Sequence, residues 1–168
     1  ASDVYKRQHI DGVTDSKKLS RKKMLKLKEE IERDALAISY GYANNTLIDK
    51  INIKQATHLA MENALNSLSI RPEIVLIDAE RINTDLPQLN IVKGDLVEYQ
   101  ISAASIMAKI RRDDIMINFS KIYKGYSFES NVGYGSAAHF KAIDKIGICP
   151  IHRKTFLRKY FERQLSFI

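Results

Sequence analysis

The chain has 168 residues, 45% of them apolar and 28% charged, which suits a globular domain with its own core and excludes an extended disordered chain. Its longest aliphatic run, residues 74–77, is far too short to span a bilayer, and no secretory signal is visible at the start. Lys and Arg total 27 against 20 Asp and Glu, a net charge of +7, which favours polyanionic partners, although a solvated basic face alone would account for it.

In chain order, residues 1–8 show no period and lead into no element; they are expected to be a non-native leader ahead of a single domain over 9–168. Residues 20–37 have a helical pattern, with Ser20 as N-cap and Leu27, Ile31 and Ala35 recurring between charged positions. Residues 38–43 alternate like a half-buried strand. Asn44, Asn45 and Thr46 then offer caps for a helix running to about residue 68. That helix carries Ala56, Ala60 and Ala64 in one stripe, which would let it press closely on a sheet. After Arg71-Pro72, residues 74–77 form a continuous aliphatic run closing on Asp78, the pattern of a buried strand. A shorter strand is predicted over 89–92, followed by Lys93-Gly94-Asp95. Residues 101–122 read as a long helix with Ile101, Ala104, Ser105 and Ala108 on one face. Residues 131–135 read as a loop. Ser136 can cap a short helix that Gly147 ends, and the tail, 152–163, is basic and amphipathic. Strands and helices are thus interspersed in one α/β domain without repeats or linkers. The lone cysteine, Cys149, has no partner for an internal disulfide. A reducing, cytoplasmic setting is therefore expected, with Cys149 a small core or loop residue.

Asp78 is the most informative position. In open α/β sheets functional groups gather beyond the carboxyl ends of strands, and an acid directly after four aliphatic residues sits at such an end; a turn or cap aspartate explains it equally well. Asp95 follows the second strand. If the two strands are neighbours, both carboxylates finish at one sheet edge, and like charges held together call for a hard divalent cation or a raised pKa. The four histidines, at 9, 58, 139 and 152, are scattered and suggest no softer metal site.

Blocks along the chain resemble the ribonuclease HII family in their order. They are Asp15-Ser-Lys-Lys-Leu-Ser20; Ile48-Asp-Lys-Ile-Asn-Ile53 with Ala56 and Ala60-Met61; Val75-Leu-Ile-Asp78; and Lys93-Gly-Asp95. They continue with Ile101-Ser-Ala-Ala-Ser-Ile106, Ala108-Lys109 and Arg112-Asp113; Gly133-Tyr-Gly135 with His139; and His152-Arg153 with Phe156. The resemblance implies a ribonuclease-H-like mixed sheet flanked by helices. It also implies a monomeric, membrane-free endonuclease that cuts RNA–DNA hybrids, and duplex DNA on the 5′ side of embedded ribonucleotides, leaving a 3′-hydroxyl, in replication and repair. Four acids hold Mg2+ or Mn2+ for two-metal hydrolysis in that family, and two of them correspond to Asp78 and Asp95. Tyr134, between glycines that allow close backbone approach, corresponds to the residue at the ribonucleotide–deoxyribonucleotide junction, where the 2′-hydroxyl must be sensed. Lys17, Lys18 and Arg153 are candidate phosphate contacts, and Asn52 a further one. Asp113 reads as an ion-pair residue.

The resemblance has gaps. The family opens with a strand into Asp-Glu-Ala-Gly-Arg-Gly, which supplies the other two metal-binding acids; no such stretch stands here, and Asp11 does not replace it. The fold is accordingly expected to lack its first strands, to leave the 38–43 strand without neighbours and to be inactive as it stands. Ala79 stands where the family prefers glycine, and Val132 where lysine is common. The alternatives are a non-catalytic binder of RNA–DNA hybrid and a helical interaction protein whose acids cap helices. The binder predicts salt-sensitive binding without cleavage, and the helical protein no stabilisation by divalent metal.

Overall fold

The computed structural model describes residues 10–165, with side chains through residue 162; the expected leader, 1–8, lies outside the described residues. The elements in chain order are α1 (Arg21–Asp34), α2 (Asn45–Asn66), β1 (Val75–Asp78), β2 (Gln88–Ile91), α3 (Gly94–Val97), α4 (Tyr99–Ile122), α5 (Phe128–Asn131), α6 (Ala137–Ile146) and α7 (Lys154–Leu165). The α/β class is as expected. Among the described residues the sheet is one parallel pair, and no helix is long and apolar enough to cross a membrane. The chain packs as two compact units: one takes residues up to Ile38 together with Leu68–Ile115, the other Ser39–Ser67 and residues from Met116 onward.

The first unit is built on α1 and the first part of α4. Ser20 caps α1 as its composition suggests, its hydroxyl accepting from the Lys23 N–H at 3.3 Å. Met24, Leu27 and Ile31 then fall on one face and pack against Ala103, Ile106, Met107 and Ile110 of α4, with Ile10 closing the cluster. Ile106 and Ile110 are fully buried, each contributing about 1.5–3 kcal/mol of burial free energy. The buried face of α4 differs from the alanine face read from the pattern: Ala104 and Ala108 are exposed. Isoleucine and methionine remove more apolar area from water than alanine, so their stripe decides the helix's rotation. Asp113 is buried on this helix and paired with Lys109 and, at 3.2 Å, Arg112, the ion-pair role expected.

β1 and β2 pair in parallel, with Val75 opposite Gln88 and Asp78 opposite Ile91. The connection between them has no helix. Gln88 clamps it, its side-chain oxygen accepting from the Ile82 N–H at 3.1 Å and its amide donating to the Ile82 carbonyl at 2.9 Å.

The second unit has an aromatic core of Tyr126, Phe128, Ile143 and Leu157, with Phe119, Tyr123, Phe140 and Phe161 against it. The strand expected over 38–43 does not form: no ladder involves these residues. A strand needs a partner strand, and among the described residues the sheet is β1 and β2 alone; residues 39–41 lie on α2 instead. The Ser39 hydroxyl donates to the Ala64 carbonyl, and a Cβ at Gly41 would clash with the Ala60 carbonyl. The small-residue stripe thus serves close packing, against a single extended segment. Ser136 and Gly147 bound α6 as read, the Ser136 hydroxyl accepting from the His139 N–H at 3.2 Å and Gly147 turning the chain at φ +76°.

Candidate active site and nucleic-acid contacts

Parallel pairing delivers Asp78 and the Lys93-Gly94-Asp95 turn to the same end of the sheet. The Asp78 Oδ1 accepts a hydrogen bond from the Gly94 N–H at 2.8 Å, so the carboxylate of Asp78 lies against the backbone that carries Asp95. Gly94 is buried, with the Ile101 side chain crowding the place a Cβ would take. Lys93 begins the turn at φ +57° and Ala79 leaves β1 at φ +54°, both left-handed. The alanine at 79 therefore occupies a conformation that glycine adopts without strain. Ser102 fixes the far side of the turn, its hydroxyl donating to the Asp95 and Glu98 carbonyls at 2.9 and 3.0 Å.

Lys17 joins these acids. Its ammonium lies 3.3 Å from the Asp95 Oδ2 and 3.9 Å from the Asp15 Oδ1. The hydrogen bond to Asp95 chiefly raises its pKa, the charges of Asp15 and Asp95 follow, and Asp78 adds to them against a small opposing effect of desolvation. Asp15 is buried and also caps the short turn at Ser16–Lys18, accepting from the Lys17 N–H at 3.0 Å. Sequence reasoning passed over Asp15 as a site residue, although a Asp-Ser before Lys-Lys is a cap signal. Lys18, by contrast, is exposed beside this group.

Carboxylate oxygens are the donors that a hard divalent cation takes, and the Lys17 ammonium shows that this group attracts positive charge. Donor chemistry therefore fits such a metal. Donor number does not complete it: among the described residues no group of three or more His, Cys, Asp or Glu side chains could hold a metal ion.

The other candidates lie in the second unit. Asn52 interrupts α2 at φ +68° and ψ 165°, a conformation almost reserved for glycine, and its Oδ1 restarts the helix by accepting from the Gln55 N–H at 3.1 Å. Around this break is a recess of about 400 Å3 lined by residues 48–53, Arg153 and Thr155. It brings Asn52 and Arg153 together. Among the described residues the Arg153 Nε is buried without a hydrogen-bond partner, and its guanidinium lies over the Phe156 ring at 5.4 Å.

Asp49 and Thr155, which sequence reasoning missed, organise this recess. The Asp49 carboxylate accepts from the Lys154 N–H at 2.7 Å, from the Thr155 N–H at 3.3 Å and from the Thr155 hydroxyl, capping α7. Burial pushes the Asp49 pKa up, but these bonds and the Arg153 charge outweigh it and leave the carboxyl below its ordinary value. The available signal was an aspartate within the Ile48–Ile53 block and a Lys-Thr start to the tail helix. Tyr134 lies in a different loop of this unit and is 55% exposed. Its N–H donates to the Asn131 carbonyl at 2.8 Å, and Gly133 beside it adopts φ +81°.

The family described as Ribonuclease HII matches residues 6–164. A ribonuclease HII of Clostridioides difficile (strain 630) is 47% identical over 157 residues, 92% of this chain and 62% of that protein. One from Ligilactobacillus salivarius (strain UCC118) is 46% identical over 144 residues, 86% of this chain and 56% of that protein. The chain thus spans about three fifths of the length of the curated relatives it matches. The crystal structure of the ribonuclease H2 from Pyrococcus horikoshii OT3 superposes with a TM-score of 0.69 at 26% identity, covering 90% of this chain and 81% of that one.

Proposed function

The chain belongs to the ribonuclease HII family, and from that premise we propose that the whole protein is a metal-dependent endonuclease acting on RNA–DNA hybrids and on duplex DNA with embedded ribonucleotides. The observation that carries this reading is the meeting of Asp78 with the Asp95 turn at the carboxyl ends of two parallel strands, with Lys17 against them. Asp78 and Asp95 would hold Mg2+ or Mn2+ together with further ligands. Such an ion supplies a hydroxide at neutral pH and stabilises the charge that develops on a leaving oxygen.

The remaining roles belong to the chain's own groups. Lys17 balances the acids and, with Lys18, offers positive charge to a backbone phosphate beside the cut. Arg153, Lys50 and Asn52 line a recess and offer donors to another phosphate. Exposed Tyr134 provides a flat ring to pack on the sugar at a ribonucleotide junction, where the 2′-hydroxyl distinguishes RNA from DNA. Cleavage on the 5′ side of the ribonucleotide would serve replication and ribonucleotide repair.

The test uses the full-length protein and a duplex carrying one ribonucleotide. Asp78→Asn and Asp95→Asn should each lower kcat on the order of a thousandfold, about 4 kcal/mol of transition-state stabilisation, with duplex binding retained. Cleavage within threefold of the parent would refute the assignment. Salt-sensitive binding by a parent protein that never cleaves, with Mg2+ or Mn2+ present, would favour the non-catalytic binder instead.

A further inference from the structure

We propose that His139 and His152 are positioning residues, a one-way hydrogen-bond relay that latches the backbone of the Tyr134 turn only while both imidazoles are neutral. The proposal rests on the reading of Tyr134 as the sugar-contacting residue for its consequence in catalysis, though not for its geometry.

The relay has four members in a row. Both rings are buried, His139 in the first turn of α6 and His152 just before α7. The two Nε2 atoms face each other at 3.1 Å. At one end, the His139 Nδ1 is 2.9 Å from the Tyr134 carbonyl oxygen. At the other, the His152 Nδ1 is 2.9 Å from the Cys149 backbone nitrogen and 3.1 Å from its Sγ.

The two ends assign the protons independently. A carbonyl can only accept, so His139 carries its proton on Nδ1 and presents a bare Nε2. A backbone N–H can only donate, so His152 has a bare Nδ1 and carries its proton on Nε2. The Cys149 carbonyl lies farther from that Nδ1, at 3.2 Å, and a proton placed there to reach it would face the Cys149 N–H. Each neutral imidazole has one donor and one acceptor. The two assignments therefore meet in the middle with the right polarity, the His152 Nε2–H donating to the His139 Nε2. Had the ends disagreed, two protons or two lone pairs would face each other there.

An added proton breaks the row at one contact or another. On His139 it sets N–H against N–H between the rings, and on His152 it does so against Cys149. Burial lowers the pKa of His152, the backbone of Cys149 opposes this, and His139 adds to the lowering. The surroundings do not reward an imidazolium. Tyr126 packs on His152 at 5.0 Å and spends its hydroxyl on the Gly147 carbonyl, while burial pushes the Cys149 thiol up and so keeps it neutral. Phe128 packs edge-on to His139 at 5.3 Å. The fixed charge on the same segment is Arg153, and among the described residues neither imidazole has a carboxylate partner.

The turn has reason to need a latch. Val132 enters it at φ +42°, a left-handed conformation that a β-branched residue resists. The Tyr134 carbonyl accepts from the Ser136 N–H at 2.8 Å as well as from His139. Losing the second donor leaves the Tyr134 carbonyl with the Ser136 N–H alone.

The experiment begins with 15N NMR of the histidine rings in the full-length protein near neutral pH. His139 should be protonated on Nδ1 and His152 on Nε2; any other tautomer pair overturns the relay. Two variants follow. His139→Leu removes the latch, and the Tyr134 and Ser136 amides should exchange about tenfold faster at fixed pH. His139→Asn can still donate to the Tyr134 carbonyl but cannot titrate, so protection should return. On a ribonucleotide-containing duplex, His139→Leu should raise KM with a smaller change in kcat. His139→Asn should restore KM and remove the loss of kcat/KM expected of the parent when the relay takes a proton in acid. Unchanged exchange in His139→Leu, or a parent-like acid limb in His139→Asn, overturns the proposal. Tyr134→Ala separates the two readings: parent-like cleavage in that variant removes the sugar contact, while the tautomers and amide exchange still decide the latch.

Discussion

Replacing Ala79 by glycine should stabilise the protein, against the usual direction of that substitution. Ala79 is exposed, follows Asp78 directly and holds φ +54°, with its N–H donating to the Ile91 carbonyl at 3.1 Å. A left-handed L-residue costs roughly 1–2 kcal/mol, which glycine relieves. Glycine loses more backbone freedom on folding, an opposing cost of about 0.5–1 kcal/mol. The hydrogen bond survives and the methyl group is on an exposed residue, so the net gain is about 0.5–1 kcal/mol. For a chain of this size that is a rise in Tm of about 1–4 °C. Ala104 provides the internal control: it is exposed in the middle of α4 at ordinary helical geometry, and Ala104→Gly should cost about 1 kcal/mol. Urea denaturation of the parent and both variants measures the pair. If both substitutions destabilise by similar amounts with unchanged m, the strain at Ala79 is not real.

Other consequences can be checked alongside. Asp78→Asn should leave stability within about 1 kcal/mol, because the amide oxygen can still accept from the Gly94 N–H. Asp78→Ala leaves that buried donor unpaired and should cost about 1–3 kcal/mol in the same urea assay. Asp49→Ala removes the cap on α7 and should lower stability by about 1–2 kcal/mol, with helix loss followed by circular dichroism. Stability should also decline in acid, in two windows. The His152 pKa is depressed from 6.5, so the unfolded chain takes the proton first; the contribution is present above 6.5 and lost as pH falls below it. Asp49, depressed from 3.8, acts in the same sense at lower pH. Urea midpoints across pH, with His152→Gln flattening the upper window and Asp49→Asn the lower, test both.

Local signals carried much of the architecture. Ser20 and Ser136 as caps and Gly147 as a stop all depend on interactions within a few residues of chain, and these read directly. The segment 38–43 was misread because alternation marks a residue pattern that suits a strand without supplying the neighbour that makes one. The face of α4 was misread because Ile101 and three small residues at helical spacing look like a seam, whereas the larger Ile106, Met107 and Ile110 dominate the burial.

By itself, the order of blocks in the chain determined the family and therefore which carboxylates and which tyrosine to inspect. That information is linear: residue identity and spacing survive without coordinates. Tertiary structure alone decided the company those residues keep. Gly94 bonding Asp78, Lys17 reaching Asp95, Asp49 capping a helix more than a hundred positions later and two distant histidines meeting at their Nε2 atoms are contacts between remote parts of the chain. No local period encodes them, because each arises from how whole elements pack, and packing depends on the summed burial of many side chains rather than on the few that make the contact.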